Sequence, residues 1–370
     1  MSNIQRDLFK NKILRKELEV QIAHNGENEE TDGLGSLGPP SKRFGAPKRR
    51  SRLQPKAWDE FFKQNFELEA TTRSGKGFFN VFYSPPSNMR SPIFVFHHGA
   101  GSSGLSFALA GSKIRTSMER SQSDEVGGII SFDMRGHGST VVEGEDDFSL
   151  DILTDDFLAV VTGVFERENW QDEKPPLILV GHSLGAAVVT RAALQNKLSS
   201  LVGVVVIDAV EELAIEALQS MNRVLDKWPQ QFSSLETAID WQLSGNGIRN
   251  RESAVVSVPG IVKKEENGSA YIWRINLRRT EPFWKDWFTG LSKGFLSVPA
   301  ARLLILAGHD RLDKDLMIGQ MQGKYQLVVF SNCGHFVQED EPDNTALTLI
   351  DFWTRNGRPQ RIIPAFGKFR

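Results

Sequence analysis

Leu177-Ile-Leu-Val180 is an apolar tetrad that runs without a spacer into Gly181-His182-Ser183-Leu184-Gly185, and Ala186, Ala187, Val188 and Val189 continue in a helix-compatible stretch. A strand apolar on both faces needs cover on each side, which points to a sheet buried between layers of helices. The two glycines let the backbone turn sharply with no Cβ in the way. They leave the Ser183 hydroxyl exposed above the sheet, with the N-terminus of the following helix aimed at it.

The rest of the chain agrees with such a sheet. Residues 66–71 and 78–83 read as an opening antiparallel pair. Short apolar runs follow at 92–96, 128–132, 177–180, 202–207, 302–306 and 326–330, and several are rich in Val, Ile and Leu on both faces. The expectation is an α/β fold with a mostly parallel, doubly covered sheet. Leu153, Phe157, Val160, Val161 and Val164 recur three or four positions apart, the stripe of an amphipathic crossover helix. The alternation stops at 211–299, where helical segments and Trp228, Trp241, Trp273, Trp284 and Trp287 fill the interval. That interval reads as a helical lid inserted over the sheet, with its aromatics as packing mass rather than a ligand box. Residues 1–57 form an expected mobile arm ahead of a single domain at 58–370. From 41 to 56 the arm carries Lys42, Arg43, Lys48, Arg49, Arg50, Arg52 and Lys56 and no acidic residue. Such a run is a solvated tail by default and otherwise a contact for an acidic partner or an import receptor.

Charge and cysteine content narrow the classes. Lys+Arg 44 against Asp+Glu 46 leaves a net charge of -2, so neither nucleic acid nor an anionic membrane is an expected partner. The single cysteine, Cys333, rules out an intramolecular disulfide and a thiolate zinc site. Residues 1–20 mix charges among their apolar residues, and the most apolar run, 201–207, is one strand long. A protein of the cytoplasm, with the nucleus as a second compartment, is expected.

A serine hydroxyl is a poor nucleophile until a base takes its proton. Gly334-His335 follows the last apolar run and the polar Ser331-Asn332-Cys333, the place in the chain order where such a base belongs. Of the other histidines, His24 lies in the arm, and His97, His98, His137, His182 and His309 come too early. The carboxylate that fixes the imidazole has two candidates: Asp310, with Asp313 nearby, and Asp208 at the end of the run at 202–207. Spacing does not choose between them. Two backbone N–H donors are needed for the oxyanion, and Leu184 and the His97-His98-Gly99-Ala100-Gly101 loop, at Ala100, are the expected sources. That loop also begins a G-x-G-x-x-G pattern, 99–104, with Asp133 ending the next run as a ribose-binding acid does. A dinucleotide-dependent oxidoreductase is therefore a rival, weakened by the two strands that precede the one opening this loop and by leaving Ser183 and His335 without a task.

Taken together, these residues resemble the nucleophile elbow and base of an α/β-hydrolase fold, and within it the protein phosphatase methylesterases, specifically their fungal members. The resemblance rests on Phe96-His-His-Gly-Ala-Gly-Ser-Ser-Gly-Leu-Ser-Phe107, Phe132-Asp-Met-Arg-Gly-His137, the elbow, Ile207-Asp-Ala-Val-Glu-Glu212, and the stretch from Leu303 through Leu312-Asp-Lys-Asp315 to Ile318-Gly-Gln-Met-Gln-Gly-Lys-Tyr325. It covers about residues 57–355 and departs slightly at Ala186 and Ala209. It implies a serine esterase that demethylates the C-terminal leucine of the protein phosphatase 2A catalytic subunit, with no metal or organic cofactor. It also implies a Ser183, Asp208, His335 triad, because the family's aspartate sits at the position of Asp208. A phosphatase-binding protein that sequesters without chemistry is the remaining alternative.

Overall fold

A computed structural model describes residues 53–121, 124–308 and 311–357, so the expected arm lies outside the described residues as far as residue 52. The strands are Gln64–Thr72 (β1), Gly75–Ser84 (β2), Ile93–His97 (β3), Gly128–Phe132 (β4), Val141–Val142 (β5), Leu177–His182 (β6), Leu201–Ile207 (β7), Val262–Lys264 (β8), Tyr271–Trp273 (β9), Ala301–Ala307 (β10) and Gln326–Phe330 (β11). Nine of them make one sheet in the order β1-β2-β4-β3-β6-β7-β10-β11, with β5 paired to β2. All pairings from β4 to β11 are parallel, whereas β2 is antiparallel to both β1 and β4.

Pleating divides each central strand between two cores. Phe94, Phe96, Ile178, Val180, Val205, Ile207, Leu303 and Ile305 face one side, and Val95, Leu177, Leu179, Val204, Val206 and Leu304 face the other. Ala108–Arg120 (α1) and Pro342–Asn356 (α4) cover the first face through residues such as Ile114, Leu349 and Phe352. Leu150–Arg167 (α2) and Leu184–Leu194 (α3) cover the second, the stripe of Phe157, Val160, Val161 and Val164 pointing inward. The expected crossover helix is thus present and extends three residues beyond the predicted stripe at each end.

The chain leaves β3 toward β4 on one side and leaves β6 toward β7 on the other. The loops after β3 and β6 diverge, opening a crevice beyond the carboxyl ends of these strands, where α/β sheets bind ligands. Between β7 and β10, residues 211–299 contain six short α-helices and the β8–β9 hairpin, which pairs Val262 with Trp273 outside the main sheet. The hairpin is absent from the sequence reading because three-residue strands leave no detectable period. Part of the interval has its own core, including Phe232, Ile239, Ile248, Ala254 and Val258. Among the described residues no helix is long and apolar enough to cross a membrane.

The loop after β4 is anchored by Arg135, whose side chain is completely buried. Its Nε and Nη2 donate to Asp156 on α2 at 2.6 and 2.9 Å, and Nη1 donates to the carbonyls of Gly144 and Asp147. Removing one partner strands the other's charge in the core, a loss of about 3–5 kcal/mol. Urea unfolding of Asp156→Ala is expected to show that loss, while the double change Arg135→Met with Asp156→Leu recovers most of it.

Candidate active site

The turn between β6 and α3 forces chain segments into contact. A Cβ on Gly181 would enter the backbone of Gly185 and Ala186, and one on Gly185 would strike the carbonyl of His97. Only glycine fits at either place. Ser183 itself adopts φ 53° and ψ −120°, a strained conformation for a residue with a side chain, and its N–H bonds to Ile207 O at 3.0 Å. The strain holds the hydroxyl at the crest of the turn, beside the crevice.

Asp208, the residue after β7, also has positive φ, 50°. Its N–H bonds to Ile305 O at 2.8 Å, and its Oδ1 accepts from Ala307 N at 3.0 Å. Its Oδ2 lies 2.7 Å from His335 Nδ1, so Nδ1 carries the hydrogen and Nε2 is left as the basic nitrogen. Burial pushes the Asp208 carboxyl up, but the bond and charge of His335 and the Ala307 N–H outweigh it, holding the pKa below the ordinary carboxylate value. Asp310 lies outside the described residues. Asp313 is engaged elsewhere: it caps the helix Lys314–Met321 through Leu316 N and accepts from Ser292 Oγ.

Ser183, Leu184, Ala100 and His335 all border one cavity of about 300 Å³. Ser183 and His335 do not hydrogen-bond to each other among the described residues. Resting sites often close this gap only when substrate is bound. The main-chain N–H groups of Ala100 and Leu184 have no partner among the described residues, whereas Gly101 N donates to His137 Nε2 at 2.9 Å. Of these two loop amides, Ala100's is therefore the one free to bind an oxyanion.

The other four histidines among the described residues have structural tasks that the sequence did not reveal. His97 Nδ1 donates to His98 O at 2.9 Å and His98 Nδ1 to Gly99 O at 2.8 Å, while His98 Nε2 accepts from Met134 N at 3.0 Å. His137 Nδ1 donates to Arg135 O at 2.9 Å, which leaves its Nε2 lone pair for Gly101. His182 Nε2 donates to His335 O at 2.8 Å and so ties the elbow to the His335 loop. Burial lowers all four, His97 and His137 to about 4, His182 to about 3 and His98 well below the usual value, so they stay neutral and serve as fixed donors and acceptors.

The glycine-rich loop is occupied in the same way. Asp133 is buried and accepts from Asn80 Nδ2, Gly104 N and Ser139 N at 2.7, 2.8 and 3.0 Å. Neither Gly104 N nor Asp133 is free for a pyrophosphate or a ribose, which removes the physical basis of the oxidoreductase reading. The tryptophans of the 211–299 interval divide. Trp241 and Trp273 pack with Phe232 and Trp228 as the expected aromatic mass. Trp228, Trp284 and Trp287 border the cavity, the last two with their indole N–H satisfied by Thr280 Oγ1 and Phe148 O. The weak periodicity of this interval holds no signal that separates the two sets.

An α/β hydrolase family model matches residues 94–347, which makes the chain an α/β hydrolase. Solved structures share the fold at low identity. E-2-(acetamidomethylene)succinate hydrolase has a TM-score of 0.58 at 18% identity, covering 79% of this chain and 100% of its own, and a putative hydrolase from Rickettsia typhi has 0.57 at 14%, covering 78% and 98%. Among relatives, protein phosphatase methylesterase 1 of Yarrowia lipolytica is 46% identical across 92% of this chain and 88% of its own length. The proteins of that name from Aspergillus fumigatus and Candida glabrata are 42% and 39% identical, covering 93% and 96% of this chain and 84% and 94% of theirs. The chain belongs to the protein phosphatase methylesterase 1 family.

The buried neutral histidines set a pH dependence of stability. Each binds its proton more readily unfolded, near 6.5, than folded, so stability is full above that value and is lost as pH falls toward the folded values, by up to about 1.4 kcal/mol per pH unit for each group. Urea midpoints measured from about pH 7 to pH 4.5 are expected to fall steeply in the wild type. In His137→Gln the slope is expected to lose one histidine's share.

Proposed function

We propose that this chain is a serine esterase that removes the methyl ester from the C-terminal leucine of the protein phosphatase 2A catalytic subunit and releases methanol. The observation that carries the reading is the 2.7 Å His335–Asp208 bond beside the elbow serine, at an apolar cavity, in a chain 46% identical to a protein phosphatase methylesterase 1.

In this reading His335 Nε2 takes the Ser183 proton as Oγ attacks the leucine ester carbonyl. The Ala100 and Leu184 amides receive the oxyanion, Leu184 with the added field of the α3 N-terminus. His335 then returns the proton to departing methanol, leaving the leucine acyl group on Ser183. Water activated by the same imidazole releases the carboxylate, and Asp208 stabilises the imidazolium in both halves of the cycle. Every reacting group is a side chain or amide of this chain, so the cycle calls on no metal or organic cofactor. A methyl group offers little to bind, so discrimination falls to the peptide side. Met221, Trp228, Trp284 and Trp287 give the cavity walls suited to an apolar side chain such as leucine.

Methanol release from methylated phosphatase is the test. Ser183→Ala is expected to abolish turnover while still capturing its target, and Asp208→Asn to lower kcat by about 10⁴-fold through loss of the correct tautomer. Asp310→Asn is expected to leave turnover within about twofold of wild type. A crippled Asp310→Asn beside an active Asp208→Asn overturns the assignment of the acid. A wild type that binds the phosphatase without releasing methanol would be a sequestering protein instead.

A further inference from the structure

Four residues beyond His335, in the helical turn Val337–Asp340, lies a carboxyl group that the reaction does not use. Glu339 is 1% exposed and forms no ion pair among the described residues. Its Oε1 accepts from Ser106 Oγ and its Oε2 from Ser257 Oγ, each at 2.6 Å, and its main-chain carbonyl accepts from Ser253 Oγ at 2.7 Å. The adjacent Gln338 reinforces the junction by donating to Ser106 Oγ at 2.7 Å. Ser106 belongs to the turn Gly104–Phe107, directly after the loop that carries Ala100, and Ser253 and Ser257 belong to the helix Arg251–Ile261. One residue therefore joins the His335 turn, the segment behind the Ala100 loop and a helix of the 211–299 interval, and both Glu339 and Ser257 border the cavity.

We propose that Glu339 is a positioning residue that clamps the turn bearing His335 against the Ser106 turn and the 251–261 helix, and so sets where the imidazole sits relative to Ser183. The proposal rests on the esterase reading of Ser183 and His335. In the uncharged acid one of the two serine pairs reverses, the carboxyl O–H donating to Ser257 Oγ while Oε1 still accepts from Ser106 Oγ, so the clamp keeps both bonds without a charge. Burial pushes the Glu339 carboxyl up to about 8, the hydrogen bonds from Ser106 and Ser257 lower it, and the charge of Asp340 raises it. The side chains facing it from the other two segments are neutral serines. Asp340 on its own turn has the same sign and bonds Gly334 N at 2.7 Å, while Arg249 is more than half exposed and stands against Asp340 rather than Glu339. Ionisation thus places a charge with no counter-ion at a buried junction, and the turn holding His335 loosens.

The experiment follows the rate of Ser183 labelling by a fluorophosphonate, which reports the serine–imidazole pair whatever the natural substrate, together with kcat and KM for a methylated tail peptide, from about pH 6.5 to 9.5. In the wild type both labelling and kcat are expected to fall at least about threefold with a midpoint near 8. Glu339→Gln, an uncharged isostere of the acid, is expected to rescue the clamp and hold its plateau across that range. Glu339→Ala is expected to lose about tenfold or more in kcat with KM changed less than about twofold. If Glu339→Ala does not fold, the Gln profile decides alone. Wild-type and Gln enzymes that label with the same pH profile overturn the clamp and leave the esterase reading standing. A folded wild type that does not label at Ser183 brings down the esterase reading and this proposal with it.

Discussion

The approach of β6, α3 and β3 at the elbow governs the rest of the molecule. Gly181 lies against the Gly185 backbone and Gly185 against the His97 carbonyl, so the helix can leave the strand only along the path that puts Ser183 at positive φ. The conformation is held because β6 is locked on both sides, paired through Gly181 to His97 and through His182 to Ile207. Asp208, one residue past β7, takes a similar positive φ, anchored through its N–H to Ile305. Two adjacent parallel strands thus end in strained residues, and neither strain persists without a sheet rigid enough to impose it.

Around this framework the protein uses neutral polar groups where charges would be costly to bury. Four histidines are held uncharged by burial: His98 and His137 tie the loops after β3 and β4 to each other, His182 reaches the carbonyl of His335, and His97 braces its own loop. Glu339 extends the same economy of charge to the other side of the crevice. Where a full charge is buried, at Arg135, it is matched by Asp156 and capped by carbonyls.

Much of this was legible in the sequence where the physics is local. The eight expected strands came out within three residues at either end because doubly covered strands must be apolar on both faces, and Ser183 stood out because glycines bracket it. His335 followed from chain order. Asp208 did not follow from any spacing: the pair it forms with His335 closes over 127 residues, and a strand-end aspartate looks the same at 208 and 310. Only the resemblance chose it. The bracing histidines were invisible for a related reason, since the bond from Gly101 to His137 joins residues 36 apart and depends on a tautomer. The β8–β9 hairpin and the division of the tryptophans belong to an interval packed by its own small core, where neither period 2 nor period 3.6 persists long enough to read.

The strand order also bears on how such a protein comes into being. The loop after β3, the elbow after β6, the end of β7 and the turn beyond β11 are made at widely separated times, and the imidazole-bearing segment emerges from the ribosome last of the four. In the proposed mechanism, a nascent chain halted before that turn docks has no base beside Ser183 and is inert toward esters, so the chemistry belongs only to molecules whose whole sheet has closed.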